Sequence, residues 1–405
     1  MALPNELEKL KKETCDEEKK FKKRWRKKKK EEEEEEKKKE NDNNDTLSKS
    51  ENNEENCDIF PSSSKLLKTF NGHTDIVLSI DCSILDDGQF ICSGSIDKAL
   101  VWNMDTTQKI QSFRGHSGSV NCVKFSPYHY QYHHRNAICS SSEDKTIRIW
   151  DREYGREFQI FNGHTGHVSD IEFSKFYCGR YLCSGSGDKT IRLWDVETSK
   201  SLHVFNGHIH WILCVDFSPV QSNNNNDYRS NGIGVIGGNG YTICSGSIDN
   251  TIRIWDIETT KQLNVFEGHE HWIRSVKYGP NELGVIGGAN TILSGSNDKS
   301  VRLWDIRSGQ QIQMFNGHTS IVCAVEHLPL LVNSSQHAIC SGSKDNTIQF
   351  WDIRSNKRLY LIKGDEKEDN GITCLKFLSL KDDDTNLCYG TYNGPIRVLD
   401  MNTYQ

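Results

Sequence analysis

The sequence lacks the features of a membrane-bound or exported protein. No run of about 18 apolar residues occurs in its 405 residues, so no membrane-spanning segment is predicted. The stretch MALPNELEKLKKE at the start contains no apolar signal-peptide core, so secretion is not expected. The net charge is only −6, which gives no overall attraction to nucleic acid or to an anionic membrane.

Disulfide bonds are not indicated either, although the chain has 14 cysteines. Five cysteines share one context, with an aliphatic residue before and a serine after: Cys92, Cys139, Cys183, Cys244 and Cys340. Four others occur inside short alternating patterns typical of strands: Cys82, Cys122, Cys214 and Cys374. Only Cys15 and Cys57 are assigned outside these patterns. Cysteines in a repeated register are interpreted as small buried residues, and a reducing, intracellular location in the cytoplasm or nucleus is expected.

Residues 1–64 form a charged, low-complexity segment, which predicts a disordered or partly helical arm and linker. KKFKKRWRKKKK at 19–30 is almost entirely basic, and EEEEEEKKKE follows it directly. Glu33 and Lys37 are spaced as in helix-stabilising pairs. Three hypotheses stay open: a solvated extension, a nuclear-localisation or nucleic-acid-binding patch that includes Phe21 and Trp25, and a short helix for a partner.

From residue 65 the sequence repeats itself, and this repetition determines the predicted fold. Six units contain an aromatic residue, one further residue and Gly-His, as in FEGH ending at His269. The same six units end in Trp-Asp, or in Trp-Asn at Trp102, and successive tryptophans are separated by 48, 44, 61, 49 and 47 residues. Between these landmarks lie four short stretches in which β-branched and polar residues alternate, separated by Gly, Asp and Asn.

These units resemble the WD-repeat (beta-transducin repeat) family, whose members form β-propellers. The resemblance implies an all-β, seven-bladed propeller over residues 65–405. In the seventh unit Asp365 takes the place of the histidine and Leu399 that of the tryptophan. The repeats begin with KLLKTF, a fourth strand, and finish with GPIRVLD, a third strand. We therefore expect the first strand of the region to complete the last blade.

Each complete unit repeats a His, a Ser, an Asp and a Trp, which include the residue types of a nucleophilic triad. Six equal catalytic sites on one chain make little sense, and the resemblance implies an internal hydrogen-bond network instead. The protein is therefore expected to be neither an enzyme nor a cofactor-binding protein. In units two to six the network residues are His116, Ser140, Asp144 and Trp150; His164, Ser184, Asp188 and Trp194; His208, Ser245, Asp249 and Trp255; His269, Ser294, Asp298 and Trp304; and His318, Ser341, Asp345 and Trp351.

Two units depart from this pattern. In unit one Asp97 and Trp102 are five residues apart where the other units have six, so Trp102 is expected on the wrong face unless a bulge corrects it. Unit seven, with Asp365, Tyr389, Asn393 and Leu399 at the four positions, is expected to form no such network. Units seven and one are therefore predicted to open first.

Residues that do not repeat are candidates for partner binding on the top face, where the resemblance places the loops after His and before Asp. After the histidines the candidates are His210, Trp211, His271 and Trp272. Before the aspartates they are Ile96, Glu143, Ile248, Asn297 and Lys344, with Tyr392 in unit seven. Two hypotheses stand: the tryptophans fill half-buried strand positions, or they contact a partner.

Metal sites are not predicted, although NGHIHWILCVDF contains His208, His210 and Cys214. The unit-five copy, EGHEHWIRSVKY, has Ser275 in place of the cysteine. The histidines of YHYQYHHRN, at 129, 133 and 134, are interpreted as solvated loop residues. Long Asn- and Gly-rich stretches at 218–241 and 278–290 are interpreted as flexible insertions.

The expected function is that of a non-catalytic scaffold that docks peptides or protein domains within a multiprotein complex. Short basic or helical motifs are expected over the channel mouth. The alternative is a nuclear subunit of a chromatin or RNA-processing complex that contacts nucleic acid only through residues 19–30. No membrane partner is expected.

Overall fold

The computed structural model describes residues 65–85, 88–219, 241–280, 290–329, 338–379 and 385–401. The charged segment 1–64, with its three hypotheses, lies outside these ranges, as do most residues of the two Asn- and Gly-rich insertions.

Within the described residues, 28 strands form seven four-stranded antiparallel sheets, the blades of a propeller. In chain order the strands are β1 (Lys65–Phe70), β2 (Val77–Leu85), β3 (Gly88–Ser95), β4 (Ala99–Asn103), β5 (Lys109–Phe113), β6 (Val120–Phe125), β7 (Ala137–Ser142), β8 (Ile147–Asp151), β9 (Glu157–Phe161), β10 (Val168–Phe173), β11 (Tyr181–Ser186), β12 (Thr190–Asp195), β13 (Lys200–Asn206) and β14 (Ile212–Phe217). They continue with β15 (Thr242–Ser247), β16 (Ile252–Asp256), β17 (Gln262–Phe266), β18 (Ile273–Tyr278), β19 (Thr291–Ser296), β20 (Ser300–Asp305), β21 (Gln310–Asn316), β22 (Val322–His327), β23 (Ala338–Ser343), β24 (Thr347–Asp352), β25 (Lys357–Lys363), β26 (Ile372–Ser379), β27 (Thr385–Thr391) and β28 (Ile396–Asp400). The predicted seven-bladed fold is confirmed.

The first and last strands close the ring. Six blades use four consecutive strands, beginning with β2–β5, whereas the seventh has the order β1-β28-β27-β26. Lys65 pairs with Asp400 and Phe70 with Ile396 across the β1–β28 ladder. The expectation that the first strand completes the last blade is therefore confirmed. Each blade then has two short edges, an inner strand that lines the channel and an outer strand at the rim.

The burial of each strand in a blade depends on how much of it the two adjacent blades cover. All six residues of β15, TICSGS, are buried, because adjacent blades cover both of its faces. On the outer strand β17, Phe266 is buried and the other four residues are half-buried or exposed. The core lies between blades; for example, Ile252 and Phe266 of blade four pack in one cluster with Ile273 and Trp304 of blade five.

A small residue in the second strand lets the next blade approach closely. A Cβ atom at Gly246 would lie 2.5 Å from Cγ2 of Ile273, so only glycine fits beside that strand. Blade two carries Ser141 at the equivalent position. The Ser141 hydroxyl is buried and has no hydrogen-bond partner among the described residues. This blade therefore contains an unsatisfied polar group where the other six contain glycine.

The described residues include one α-helix, α1 (Pro127–His133), and one 3-10 turn at Tyr177–Gly179. His129 lies on α1 and is buried, with Nδ1 2.8 Å from Oγ of Ser126. Burial lowers the pKa of His129 to about 4. The interpretation of His129 as a solvated loop residue is therefore wrong, because a capped helix holds it.

The described cysteines are free thiols. In the second strands, burial raises the pKa of Cys92, Cys139 and Cys183, which keeps these thiols protonated. Cys178 lies in the 3-10 turn, so the cysteines outside the repeat register are not limited to Cys15 and Cys57. No helix in the described ranges has the length and apolarity needed to span a bilayer.

Candidate functional site

The repeated His, Ser, Asp and Trp are joined by hydrogen bonds inside each blade. In blade three, Trp194 Nε1 donates to Ser184 Oγ at 2.8 Å, and His164 Nε2 lies 2.7 Å from the same oxygen. His164 Nδ1 lies 2.8 Å from Asp188 Oδ2. A carboxylate can only accept, so Nδ1–H donates to Asp188. The Ser184 hydroxyl accepts the indole N–H and donates its own proton to Nε2 when the histidine is neutral, so a neutral histidine completes the network.

The same chain of hydrogen bonds occurs in blades two, four, five and six, with distances of 2.7–2.9 Å. Burial lowers the pKa of His208, although its hydrogen bond to Asp249 acts in the opposite direction. Burial opposes ionisation of Asp188, but hydrogen bonds from His164 and Thr190 hold its pKa well below the usual range. At neutral pH Asp188 is therefore charged, whereas His208 is neutral.

The Ser–His–Asp connectivity is that of a nucleophilic triad, but its environment is not. Ser184 has no exposed surface, and its hydroxyl also accepts the hydrogen bond of the Trp194 indole. A substrate cannot reach that oxygen, so these residues do not act as nucleophilic sites. Their role in this structure is to tie the Gly-His loop to the second and third strands.

Blade one also forms the hydrogen-bond network, although Asp97 and Trp102 are one residue closer in sequence than in the other blades. His73 Nδ1 lies 2.7 Å from Asp97 Oδ1, and Ser93 Oγ bonds to both His73 and Trp102. Trp102 is buried. The expected flip of Trp102 is therefore wrong.

The missing residue is taken out of the turn and not out of the strand. Gly94 pairs with Ala99 in blade one, five positions on, whereas Gly185 pairs with Ile191 in blade three, six positions on. In blade three the turn contains Lys189 with a positive φ of 71°, and no residue between Gly94 and Ala99 has a positive φ. A shorter turn therefore leaves the strand register unchanged.

Blade seven lacks the repeated network, as expected, but contains a different one. Asp369 has no exposed surface, and Arg397 Nε donates to its Oδ1 at 2.6 Å. The Tyr389 hydroxyl donates to the other carboxylate oxygen of Asp369 at 3.3 Å. Arg397 also donates to Thr69 Oγ1 on the closing strand β1. A buried ion pair therefore links the closing strand to the interior of the last blade.

The top face is built from two loops that meet in every blade. The N–H of the residue before the aspartate donates to the carbonyl of the residue before the inner strand, as from Ile248 to Trp211 and from Asn297 to Trp272. Equivalent bonds join the other five pairs: Ile96–Ile76, Glu143–Ser119, Gly187–His167, Lys344–Ile321 and Tyr392–Gly371. The two sets of sequence-predicted residues thus lie side by side on one face.

Trp211 and Trp272 lie in this position on adjacent blades. Trp211 is 42% exposed and Trp272 is 36% exposed. Trp211 packs over Gly187 and contacts the ring of His167 edge to face, with 5.6 Å between ring centroids. The preceding histidines turn back, so that Nδ1 of His210 and His271 accepts the N–H of the following tryptophan. Each indole therefore presents part of its surface to solvent in a fixed orientation.

The remaining candidate residues fall into two groups, one on blades five to seven and one on blades one and two. Asn297 accepts a hydrogen bond from Arg274 Nε at 2.8 Å, and the Arg274 guanidinium lies 5.5 Å from the ring centroid of Trp272. Lys344 Nζ lies 5.0 Å from the ring centroid of Tyr392. Ile96 and Glu143 are exposed on blades one and two, and the carbonyl of Glu143 lies 3.0 Å from Nδ1 of His167, the histidine that contacts Trp211.

Sequence analysis missed Ile209 and Arg274 on this face. Ile209, beside Trp211, is 73% exposed. Arg274 belongs to a ring of equivalent inner-strand residues around the channel: Leu78, Asn121, Ser169, Leu213, Arg274, Cys323 and Thr373. It is the one charged member of that ring. Arg274 can be identified from the sequence alone when the seven inner strands are aligned.

The same alignment reveals a second ring, three residues further along each inner strand, which we call the charge ring. Its members are Asp81, Lys124, Glu172, Asp216, Lys277, Glu326 and Lys376. Three ion pairs join neighbouring blades: Lys124–Glu172 at 2.6 Å, Lys277–Glu326 at 3.2 Å and Lys376–Asp81 at 3.4 Å. Asp216 instead lies 3.7 Å from Lys175, which follows the inner strand of blade three.

The paired side chains of the charge ring are mostly buried, with 12–32% of each exposed. Burial opposes the charge on Glu172, but Lys124 and other lysines lower its pKa to about 2. Burial likewise opposes the charge on Lys124, but Glu172 holds its pKa well above the usual range. The channel space between the two rings is about 150 Å³, enough for a side chain but not for a folded element. A ligand that enters from the top face therefore meets the upper ring before the charge ring.

Metal-ligating side chains do not cluster in the described residues, since no group of three or more His, Cys, Asp or Glu there is arranged to hold an ion. In particular, His208 belongs to the network of blade four and Cys214 is buried between blades four and five. His210 is exposed on the top face. These three side chains therefore do not converge.

Comparison with known proteins agrees with this geometry. Segments of the chain are 40% identical over 64 residues to "WD repeat-containing protein WDS homolog" of Arabidopsis thaliana, covering 16% of this chain and 11% of that protein. Others are 42% identical over 64 residues to "WD repeat-containing protein 82" of Drosophila melanogaster, covering 15% and 20%, and 34% identical over 87 residues to "Nuclear distribution protein nudF 1" of Talaromyces marneffei, covering 21% and 18%. The chain thus matches a fifth or less of the length of each of these relatives.

The family described as "WD domain, G-beta repeat" matches most of the propeller. Its profile covers residues 64–102, 107–151, 155–195, 199–256, 260–305 and 309–352, which are six sequence repeats, each with the outer strand of one blade and the three inner strands of the next. Strands β26–β28 of the divergent seventh blade lie outside these matches, whereas its outer strand β1 lies in the first. With six profile matches and the observed seven-bladed ring, the chain belongs to the WD40 repeat family.

Proposed function

We propose that this protein is a non-catalytic scaffold that holds a partner peptide or protein domain on its top face, within a multiprotein complex. The observation that supports this most is the pair Trp211 and Trp272, exposed on adjacent blades beside the channel mouth. Exposed tryptophans in a fixed orientation give a large contact area at a low entropic cost. Ile209 extends the same apolar surface.

The position of the tryptophans argues against a purely structural role. The main-chain carbonyls of Trp211 and Trp272 accept the hydrogen bonds that join the top-face loops. A residue with any side chain could supply these carbonyls. In blade six the same position is Ile321, which is half-buried. An indole that remains 42% exposed thus buries little more than an aliphatic side chain and leaves its other part for a partner.

Affinity purification of the full chain tests this proposal. The wild type should recover partners that a Trp211→Ala, Trp272→Ala double variant loses. Tyr154→Ala is the matched control, because Tyr154 is 71% exposed in the turn between the third and fourth strands, at the opposite end of its blade. Thermal unfolding should show that all variants fold. Recovery of the same partners by the double variant would show that the proposed site is wrong.

The alternative function depends on residues outside the described ranges. A nuclear subunit that contacts nucleic acid through residues 19–30 stays a prediction of the sequence. Binding to RNA or DNA would weaken steeply with salt, and the slope of log K against log salt would be lost when residues 19–30 are deleted. A shallow slope that survives the deletion would contradict this alternative.

A further inference from the structure

The channel mouth carries cationic groups without acidic partners. Arg274 is the one charged residue of the seven-membered upper ring, and it is half-buried. No carboxylate among the described residues forms an ion pair with Arg274 or with Lys344. In contrast, the half-buried Arg302 of the same blade pairs with Asp298 at 3.4 Å. A half-buried guanidinium without a counter-ion favours an anionic ligand.

Arg274 is also held in place for such a ligand. Its Nε donates to Asn297 Oδ1, and its guanidinium packs near the Trp272 ring. These two contacts fix the plane of the group while leaving terminal N–H donors available for a bidentate carboxylate. The arrangement places a cation directly beside the exposed apolar surface of Trp272.

The charge ring offers no unpaired carboxylate to a basic ligand, and Asp170, which also lines the channel, already accepts the N–H of Val215. The acidic members of the charge ring are already matched, as Glu172 is by Lys124 and Glu326 by Lys277. A lysine or arginine that entered from the top would first meet Arg274, a like charge. The expectation that basic motifs dock over the mouth therefore does not fit the charges found there.

We propose that the partner segment is an extended acidic peptide. An Asp or Glu side chain of the peptide pairs with Arg274 at the mouth, and apolar residues of the same peptide pack on Trp211 and Trp272. This inference rests on the proposed docking function of the top face and specifies the chemistry of its partner. Lys344, over Tyr392 on the next part of the rim, provides a second cation for a neighbouring acidic residue.

Selection from a random dodecapeptide library displayed on phage, with the full chain immobilised, tests the proposal. The selected peptides should be enriched in Asp and Glu next to apolar residues. For a synthetic selected peptide, Arg274→Gln should raise Kd about tenfold or more, because a charge-assisted pair is lost. Arg274→Lys should restore part of the affinity. Lys299→Gln is the matched control, an exposed cation on the same face of the same blade, and should change Kd by less than about twofold.

The outcomes separate this inference from the proposed function. Selection of basic or uncharged peptides that depend on Trp211 and Trp272 would overturn the acidic preference and leave the docking site intact. Selection of acidic peptides whose Kd ignores Arg274→Gln would overturn the assigned role of Arg274. A library that yields no peptide dependent on either tryptophan would contradict both the inference and the proposed site.

Discussion

Lys376 Nζ of the last blade lies 3.4 Å from Asp81 Oδ1 of the first blade, across the junction where the ring closes. Asp81 also accepts the N–H of Phe125 in blade two, so one carboxylate contacts both neighbouring blades. The attraction of Asp81 raises the pKa of Lys376 against the effect of burial. The junction therefore has an electrostatic contact in the channel in addition to the β1–β28 ladder at the rim.

Removal of this contact should weaken the closed ring. We expect Lys376→Met to lower the free energy of unfolding by about 2 kcal/mol, because Asp81 is left without its ion-pair partner in a poorly solvated place. Urea or thermal unfolding measures the change. Lys145→Met, at an exposed turn, is the control and should change stability by less than about 0.5 kcal/mol. If the charge-swapped pair Lys376→Asp, Asp81→Lys is no more stable than either single variant, the contact is not the cause.

The repeated hydrogen-bond network should stabilise each blade. Ser184→Ala removes the oxygen that serves both Trp194 and His164, and leaves two buried polar groups without a partner. We expect a loss of about 2 kcal/mol in the free energy of unfolding. Ser201→Ala on the exposed outer strand is the matched control and should have almost no effect. Equal effects of the two substitutions would show that the network contributes nothing.

Ser141 offers a substitution that should stabilise the protein. Its buried hydroxyl has no partner among the described residues, so Ser141→Ala removes an unsatisfied polar group without creating a large cavity. We expect a gain of about 1 kcal/mol in thermal or urea unfolding. At the equivalent position of blade three, Gly185→Ala should destabilise, because the new Cβ would lie 2.7 Å from Cγ2 of Ile212. A loss of stability in Ser141→Ala would contradict this account of blade two.

The fold could be predicted because its landmarks recur. Repeated Gly-His and Trp-Asp pairs identified the blades, and the truncated ends of the repeat region identified the closing strand. Trp102 could not be placed, because a sequence does not show whether a missing residue is lost from a strand or from a turn. The turn of blade one is one residue shorter because it lacks the residue that has a positive φ in blade three. A positive φ is unfavourable for a non-glycine residue, so the shorter turn avoids that cost.

The candidate site was predicted less completely. The exposed tryptophans were visible as residues that do not repeat, whereas Arg274 and the charge ring were not, because charged residues inside a strand suggest a solvated face. In a propeller the inner strands face a narrow channel, so charges from different blades meet there. The Asp369–Arg397 pair was missed for a related reason, since it replaces the network of blade seven with residues at other positions.

Blade seven should still open before the other blades. It has one buried ion pair in place of the four-residue network, and its outer strand β1 is not joined to it in sequence. We expect the amides of β26 and β27 to exchange with solvent faster than those of β14 and β15, and those of blade one to be as protected as those of blade two. Hydrogen exchange resolved by peptide measures this. Uniform protection around the ring would contradict the expectation.

Substitution of Arg397 sharpens this test. Arg397→Gln leaves Asp369 buried without an opposite charge, so we expect a loss of about 3 kcal/mol and faster exchange in β1, β27 and β28. Arg358→Gln, on the exposed outer strand of blade six, is the control and should change neither quantity. Faster exchange confined to blades other than seven would show that the ion pair does not hold the closing strand.

On acidification, the propeller should lose stability at a higher pH than the range in which its carboxylates titrate. Burial lowers the pKa of His73, His116, His208 and His269 in the folded state, against about 6.5 in the unfolded chain. The unfolded state therefore binds more protons below that pH, so the stabilisation is complete above about pH 6.5 and decreases as the pH falls. Each such histidine contributes a loss of up to about 1.4 kcal/mol per pH unit. Asp144, whose pKa is lowered to about 2 by hydrogen bonds that outweigh burial, adds a further loss below about pH 4.

Thermal midpoints at pH 7.5, 6.5 and 5.5 measure this dependence. The midpoint should fall across this range, and His208→Gln should reduce the slope because one of the buried histidines no longer takes up a proton on unfolding. Ile209→Ala, next to His208 and 73% exposed, is the matched control, since its side chain binds no proton, and it should leave the slope unchanged. A midpoint that stays constant or rises on acidification would mean that the buried histidines are protonated in the folded protein, contrary to the neutral tautomer that the hydrogen-bond network assigns.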